Sequence, residues 1–315
     1  MQELLAEISL LFLFAAGIGI ISSMVGMSGG AFKTPLLIIV FGLGAEMAAA
    51  SSLFSALFVA IVSAVAYWRH EVKPIFFRIG MVLALLTIPG SWLGIVFRTY
   101  IGNDFFLRII FGILLFPVAF KMLFSSRKEF EDHASEIAAY DMSTLSKKMS
   151  FFAGLGIFLG GISAGLLGIG GGIIIVPVLC LMLGMPMLAA TATSMFTMIF
   201  TTSAGTVLNY LILPQYGDLP TFLFYSLALG AGMVIGGLIG PRYASKIHAE
   251  QLMRFFGVIL VFPLVKMMKL GQLWLDPLDQ SFLMATIGDV IIWLVIVLPI
   301  GLLRYYQIRK NQSSA

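Results

Sequence analysis

The chain has 315 residues, of which 60% are hydrophobic and only 11% charged, with 19 Lys and Arg against 15 Asp and Glu. Soluble domains carry about 25% charged residues, so most of this surface must face lipid, and apolar stretches of about 20 residues read as membrane spans. The formal net charge of +4 reflects loop bias and does not point to nucleic acid. The lone cysteine, Cys180 in an apolar run, excludes a disulfide framework and a Cys-rich metal site.

The first residues, Met1 to Glu7, contain no basic region and no small-residue cleavage site, so Ile8 onward reads as a first span rather than a removed signal. Apolar segments are expected at 8–26, 33–43, 46–68, 75–97 and 105–124. A polar linker, 125–149, carries Arg127, Lys128, Glu129, Glu131, Asp132, Glu136, Asp141, Lys147 and Lys148. Further segments are expected at 150–169, 173–184, 187–213, 220–243, 250–270 and 283–305. The second segment, Lys33 to Leu43, is about 16 Å long at 1.5 Å per residue. That is half of a hydrocarbon core of roughly 30 Å, so it predicts a broken or hairpin arrangement.

An internal repeat organises these segments. An offset of 142 residues relates Gly26 to Gly168, Pro35 to Pro177, and Ala48-Ala-Ala-Ser-Ser-Leu-Phe54 to Ala190-Thr-Ala-Thr-Ser-Met-Phe196. Beyond Pro214 the offset becomes 146, pairing Pro74 with Pro220, Gly90 with Gly236, Gly94 with Gly240, Arg108 with Arg254 and Phe116-Pro117 with Phe262-Pro263. Five segments per half is an odd count, which turns the second half upside down. The expected fold is therefore all-α and polytopic. It comprises two inverted repeats, 1–124 and 150–270, joined by the cytoplasmic linker and followed by one C-terminal transmembrane helix, 281–305. Basic residues place the loop with Arg69, Lys73 and Arg78, the loop with Arg242 and Lys246, and the C-terminal Arg304, Arg309 and Lys310 inside. The N-terminus, with Glu3 and Glu7 and no basic residue, and the turn Leu213 to Pro220 fall outside. Lys266 and Lys269 oppose this scheme, beside Asp276 and Asp279.

The candidate site follows from chain breaks. Ser28-Gly29-Gly30 and Gly170-Gly171-Gly172 are poor in a helix interior, and unwound backbone within a membrane is tolerated where it is buried or lines a wet cavity. Each break precedes a short helix whose free N–H groups form a positive dipole end open to an anion. Ser51, Ser52 and Ser55 share one face of the third segment, and Thr193, Ser194 and Thr197 share its counterpart; such hydroxyls suit an oxyanion. Lys33, in the first turn of the short helix, opposes the dipole unless an anion lies between. Its repeat partner is Ile175.

Blander readings stand beside these. Gly90/Gly94 and Gly236/Gly240 read as helix-packing sites, hydroxyls can bond back to their own helix, and Lys33 can snorkel to an interface. Tyr67, Trp68, Asn209 and Tyr210 read as an interfacial belt, and Arg108 and Arg254 as anchors. Glu46 stands at a turn in water or carries a coupling proton. His70, His133 and His248 lie in loops, with no metal spacing, and no paired nucleophile and base or other cofactor motif points to an enzyme.

The duplicated glycine break with its following proline, the small-hydroxyl helix starts and the paired Phe-Pro together resemble the TauE/SafE family, over about residues 8–270. The resemblance implies a duplicated helical fold in the plasma membrane, the inner membrane of a bacterium, and export of sulfite, sulfoacetate or related sulfur oxyanions, and it is compatible with proton coupling. A passive anion channel and a non-transport assembly factor are the alternatives. The expected partners are a small anion and the lipid bilayer; oligomeric state, coupling ion and the anion itself stay open.

Overall fold

A computed structural model describes residues 2–101, 147–215 and 217–244 without interruption, residues 287–296, and isolated positions between 106 and 123 and between 258 and 298. The elements among the described residues are all helices, with no strand. The helices are α1 (Gln2–Val25), α2 (Gly30–Ile39), α3 (Ala45–Trp68), α4 (Phe77–Ile101), α5 (Lys147–Leu167), α6 (Gly172–Leu181), α7 (Met187–Ile212) and α8 (Leu219–Ala244). Six of these, α1, α3, α4, α5, α7 and α8, are long and apolar enough to cross a membrane. Their outer faces carry exposed Leu13, Leu85, Phe97, Phe151 and Leu211, which only a lipid solvent tolerates in such number.

The helix ends follow from local chemistry. Glycines in the left-handed region stop α1 at Gly26 and α5 at Gly168. The two short helices are each 10 residues long, about 15 Å, too short for the apolar layer. Asp218 caps α8: the Thr221 amide donates to its Oδ2 at 2.9 Å, and that bond holds the carboxyl below its usual range. Two limits differ from expectation. The first helix begins at Gln2, ahead of an apolar span from Glu7 that agrees with the expected one from Ile8, and α4 runs to Ile101 rather than stopping at 97, because Arg98 is buried and part of the helix. The expected linker and the segments at 105–124, 250–270 and 283–305 lie outside the described residues, apart from isolated positions, Lys147–Met149 and residues 287–296.

By compactness the chain divides into two units, Met1–Leu107 with Ser126–Leu252, and Arg108–Ser125 with Met253–Ala315. In the second unit Trp293 Nε1 donates to the Val258 carbonyl at 2.9 Å and Asp289 is buried. In the first, helices of the two halves interlock. Helix α1 packs along α8 and α4 along α5; α3 packs on α8 and α7 on α4; α3 and α7 meet at the centre. Every one of these contacts maps onto another, or onto itself, when the halves are exchanged. Close packing explains the paired glycines: Gly90 and Gly94 lie against the Phe158 and Ile162 carbonyls, and Gly236 and Gly240 against Gly19 and the Ile20 carbonyl. Ile162 is the 142-residue counterpart of Ile20, so the two seams are built alike.

Candidate functional site

Both expected breaks are present. Helix α1 gives way to α2 through Gly26, Met27, Ser28 and Gly29, and α5 gives way to α6 through Gly168, Ile169, Gly170 and Gly171. Gly26, Gly29, Gly168, Gly170 and Gly171 have φ between 67° and 83°, where L side chains are strained. Gly29 and Gly171 cap the short helices without any side-chain cap. The first helical bonds run from Phe32 and Lys33 to Gly29 and from Ile174 and Ile175 to Gly171. The amides ahead of these bonds, Gly30 and Ala31 in α2 and Gly172 and Ile173 in α6, have no acceptor within their helix.

The breaks touch each other. Gly30 lies against the Gly168 carbonyl and Ile169, and reciprocally Gly172 lies against the Gly26 carbonyl and Met27. A side chain at either glycine would collide with backbone. Hydroxyls from one half secure the carbonyls of the other. Ser52 Oγ donates to Gly168 O at 3.0 Å, and Ser194 Oγ, its repeat partner, donates to Gly26 O at 3.1 Å. Ser28 Oγ donates to Ile169 O at 2.6 Å and Thr34 Oγ1 to Leu167 O at 3.0 Å. With so many break carbonyls occupied, the unused hydrogen-bonding capacity of the breaks is weighted toward donors, which suits an anion.

Further out, the helix ends before each break are sealed from homologous positions. Tyr67 OH donates to Ser23 O at 2.8 Å. Its counterpart Asn209 is too short to do the same. Asn209 Oδ1 instead accepts from Arg98, whose Nη1 donates to Gly165 O, the counterpart of Ser23 O, at 3.0 Å. The belt reading of Tyr67 and Asn209 is therefore wrong: both are wholly buried, Tyr67 satisfying a helix-terminal carbonyl itself and Asn209 holding the Arg98 that does so in the other half. Trp68 and Tyr210 are more than half exposed, as a belt requires. Sequence inspection passed over Arg98, whose signal was a lone Arg four residues beyond a packing glycine, Gly94.

Lys33 is wholly buried, which removes the snorkelling reading. Its Nζ donates to Ser52 O at 3.0 Å and Ser55 Oγ at 2.8 Å. An ammonium has three donors, so one remains. Among the described residues of this unit the buried charged side chains are Lys33 and Arg98, both cationic. No described carboxylate bridges to Lys33. Taking an ion out of water costs several kcal/mol unless compensated, so the charged form of Lys33 in this position favours a negative partner.

All thirteen candidate residues, Ser28, Gly29, Gly30, Lys33, Ser51, Ser52, Ser55, Gly170, Gly171, Gly172, Thr193, Ser194 and Thr197, are buried. Those around the breaks gather at one place: Ser28, Gly29, Gly30, Ser52, Gly170, Gly171, Gly172 and Ser194, with Lys33 and Ser55 alongside. Ser51 is buried and makes no hydrogen bond among the described residues. Thr193 and Thr197 face α4 instead: Thr193 Oγ1 accepts from the Phe76 amide at 3.1 Å, and Thr197 Oγ1 donates to the Gly80 and Thr193 carbonyls. Two hydroxyls that sequence inspection passed over, Ser22 and Thr191, also lack a partner among the described residues; Ser22 Oγ adjoins Gly29 and Thr191 adjoins Gly26. Glu46 lies in the first turn of α3, a favourable place for an acid. Among the described residues no group of three His, Cys, Asp or Glu gathers to hold a metal.

Residues 11–267 match the family described as Sulfite exporter TauE/SafE. A Bacillus subtilis protein named Probable membrane transporter protein YunE is 26% identical over 77% of this chain and 90% of its own length. A protein of Methanocaldococcus jannaschii, also named a probable membrane transporter protein, is 28% identical over 79% of this chain and 89% of its own. A Xylella fastidiosa protein of the same description is 26% identical over 78% and 88%. No solved structure matches the chain.

Proposed function

Since the chain belongs to the sulfite exporter TauE/SafE family and is a multi-pass membrane transporter, not an enzyme, we propose that it exports a small sulfur-containing oxyanion, sulfite or an organosulfonate, by alternating access around the paired breaks. One observation carries this reading. Two helix starts meet inside the first unit with break carbonyls engaged and with a buried Lys33 that no described carboxylate neutralises. Amides of Gly29, Gly30, Gly171 and Gly172 bind the oxygens, Ser28, Ser51, Ser52, Ser55, Gly170 and Ser194 complete and support the shell, and Lys33 supplies charge; Thr193 and Thr197, turned to α4 and its approach, stand outside it.

In the conformation at hand the site is shut off, since every one of these residues is buried. Transport then requires the halves to part, first on one side and then on the other. The exchange symmetry of the helix contacts supports two inverted repeats, for which such rocking is the general mechanism. Charge bias supports an inner-membrane orientation with the N-terminus outside and the C-terminus in the cytoplasm. Proton coupling is part of the proposal.

Stopped-flow flux in proteoliposomes tests it. Sulfite and sulfoacetate are expected to move with saturation and to accumulate when a pH gradient is imposed, while a neutral solute of similar size does not. Non-saturating flux that never exceeds equilibrium would mean a passive channel. No anion flux at all would leave an assembly role.

A further inference from the structure

A cleft of about 690 Å³ opens where α4 and α5 begin, lined by Ile75 to Ile79, Val82, Leu83, Leu86, Ser150, Ala153, Gly154, Ile157 and Leu183. None of its lining residues belongs to the breaks, and its walls are almost entirely apolar. Arg78 is the one charged residue lining it, and it is exposed. Exposed Arg69 and Lys73 lie in the same loop, and exposed Lys148 stands two residues before Ser150. The apolar walls continue onto the lipid-facing surface through exposed Phe77 and Val82.

The counterpart of this place in the other half carries packed aromatic rings. There Phe41 packs edge-on against Tyr225, with ring centroids 5.7 Å apart, Phe224 packs against Tyr225 at 5.1 Å, and Tyr225 OH donates to Glu7 at 2.7 Å. By the repeat offsets, Leu183 stands where Phe41 does, Ile79 where Tyr225 does, Ala153 where Leu11 does and Gly154 where Phe12 does. Ile157 for Ala15 and Leu86 for Gly232 return some of that volume. The position of Phe224 is taken by Arg78. One half of this unit thus has aromatic rings closed by an acid, while the equivalent place in the other half has an apolar cleft with a basic rim. A cavity of apolar wall, continuous with exposed apolar surface and rimmed by Arg78, fits an acyl chain carrying a negatively charged headgroup.

We infer that the cleft between the starts of α4 and α5 binds an anionic phospholipid, one acyl chain along Ile79, Leu83, Ala153 and Ile157 and the headgroup phosphate on Arg78. The site is separate from the proposed anion site, and its test does not depend on transport. A basic side chain near an anionic bilayer gives about a fivefold preference, and the apolar cleft holds the tail whatever the headgroup.

The full-length protein is placed in nanodiscs of equal phosphatidylglycerol and phosphatidylcholine, extracted mildly, and its retained lipid weighed by native mass spectrometry. The wild type is expected to retain phosphatidylglycerol about fivefold over phosphatidylcholine. Arg78→Gln abolishes the preference while still retaining lipid. Gly154→Phe, which restores the ring found in the other half, abolishes retention. A Cβ at Gly154 meets only Leu86, at 3.8 Å, so the helix accepts a side chain there. Leu183→Phe closes the cleft from the opposite wall and must show the same loss if Gly154→Phe does not fold. Excess inorganic phosphate leaves the retained lipid in place. The inference is overturned if the wild type shows no headgroup preference, if cleft-filling variants keep their lipid, or if phosphate displaces it. The first two outcomes assign the cleft to another segment of this chain or to solvent, and the third assigns it to a free anion.

Discussion

Lys33 and Ile175 occupy equivalent positions in the two short helices, yet one ends in a buried amine and the other in a hydrocarbon. The site is therefore not symmetric, and the first half supplies the charge. Replacing Lys33 with Met separates its two roles. A hydrogen bond from a charged donor is worth about 1.5–3 kcal/mol, so anion affinity measured calorimetrically should fall by about tenfold or more. An isolated buried charge is itself a burden on the fold, so the melting temperature without ligand should hold or rise. A drop in melting temperature with unchanged affinity would make Lys33 a structural tie between α2 and α3. Of these residues, only their types and order could be read along the chain. That Lys33 turns inward onto Ser52 O and Ser55 Oγ depends on how α2 docks against α3, which no local pattern specifies.

At the scale of the elements, the short helices owe their position to glycines that admit another backbone. The glycine spacing predicted both breaks and both helix starts, because a left-handed turn needs residues without a Cβ wherever they fall. It did not predict that each break is the other's wall. The decisive contacts, Gly30 on Gly168 and Gly172 on Gly26, join residues far apart in sequence. They make a sharp expectation. Gly30→Ala drives a methyl into the Gly168 carbonyl and should destabilise the protein by about 1–3 kcal/mol, as overpacking does. Gly17→Ala in α1 meets open space and should stabilise by about 0.5–1 kcal/mol. Thermal unfolding of the two variants in one detergent checks the contrast; equal effects would mean that the breaks yield easily. The Tyr67 and Asn209–Arg98 caps escaped sequence inspection for a similar reason. A residue at a helix end looks interfacial until the fold shows which buried carbonyl it reaches.

Over the whole molecule, each half is incomplete alone, since α1 finds its main neighbour in α8 and α4 in α5. Opposed ends of such an interlocked pair should face opposite sides of the membrane. With Cys180 replaced by Ser, a cysteine introduced at Leu219 should react with an impermeant maleimide in intact cells. One at Glu71 should react only after permeabilisation. Labelling of both from outside would refute the inverted orientation. Composition, repeat offset and glycine placement were enough to specify an all-helical membrane protein, its duplicated plan and the location of its two breaks. These properties are set by the period and solvent preference of local segments, so they are written along the chain. Which faces meet, where the buried charges point, and why one half holds an open basic cleft while its twin is packed with rings emerged only in three dimensions. They depend on the volume and polarity of partners more than a hundred residues away.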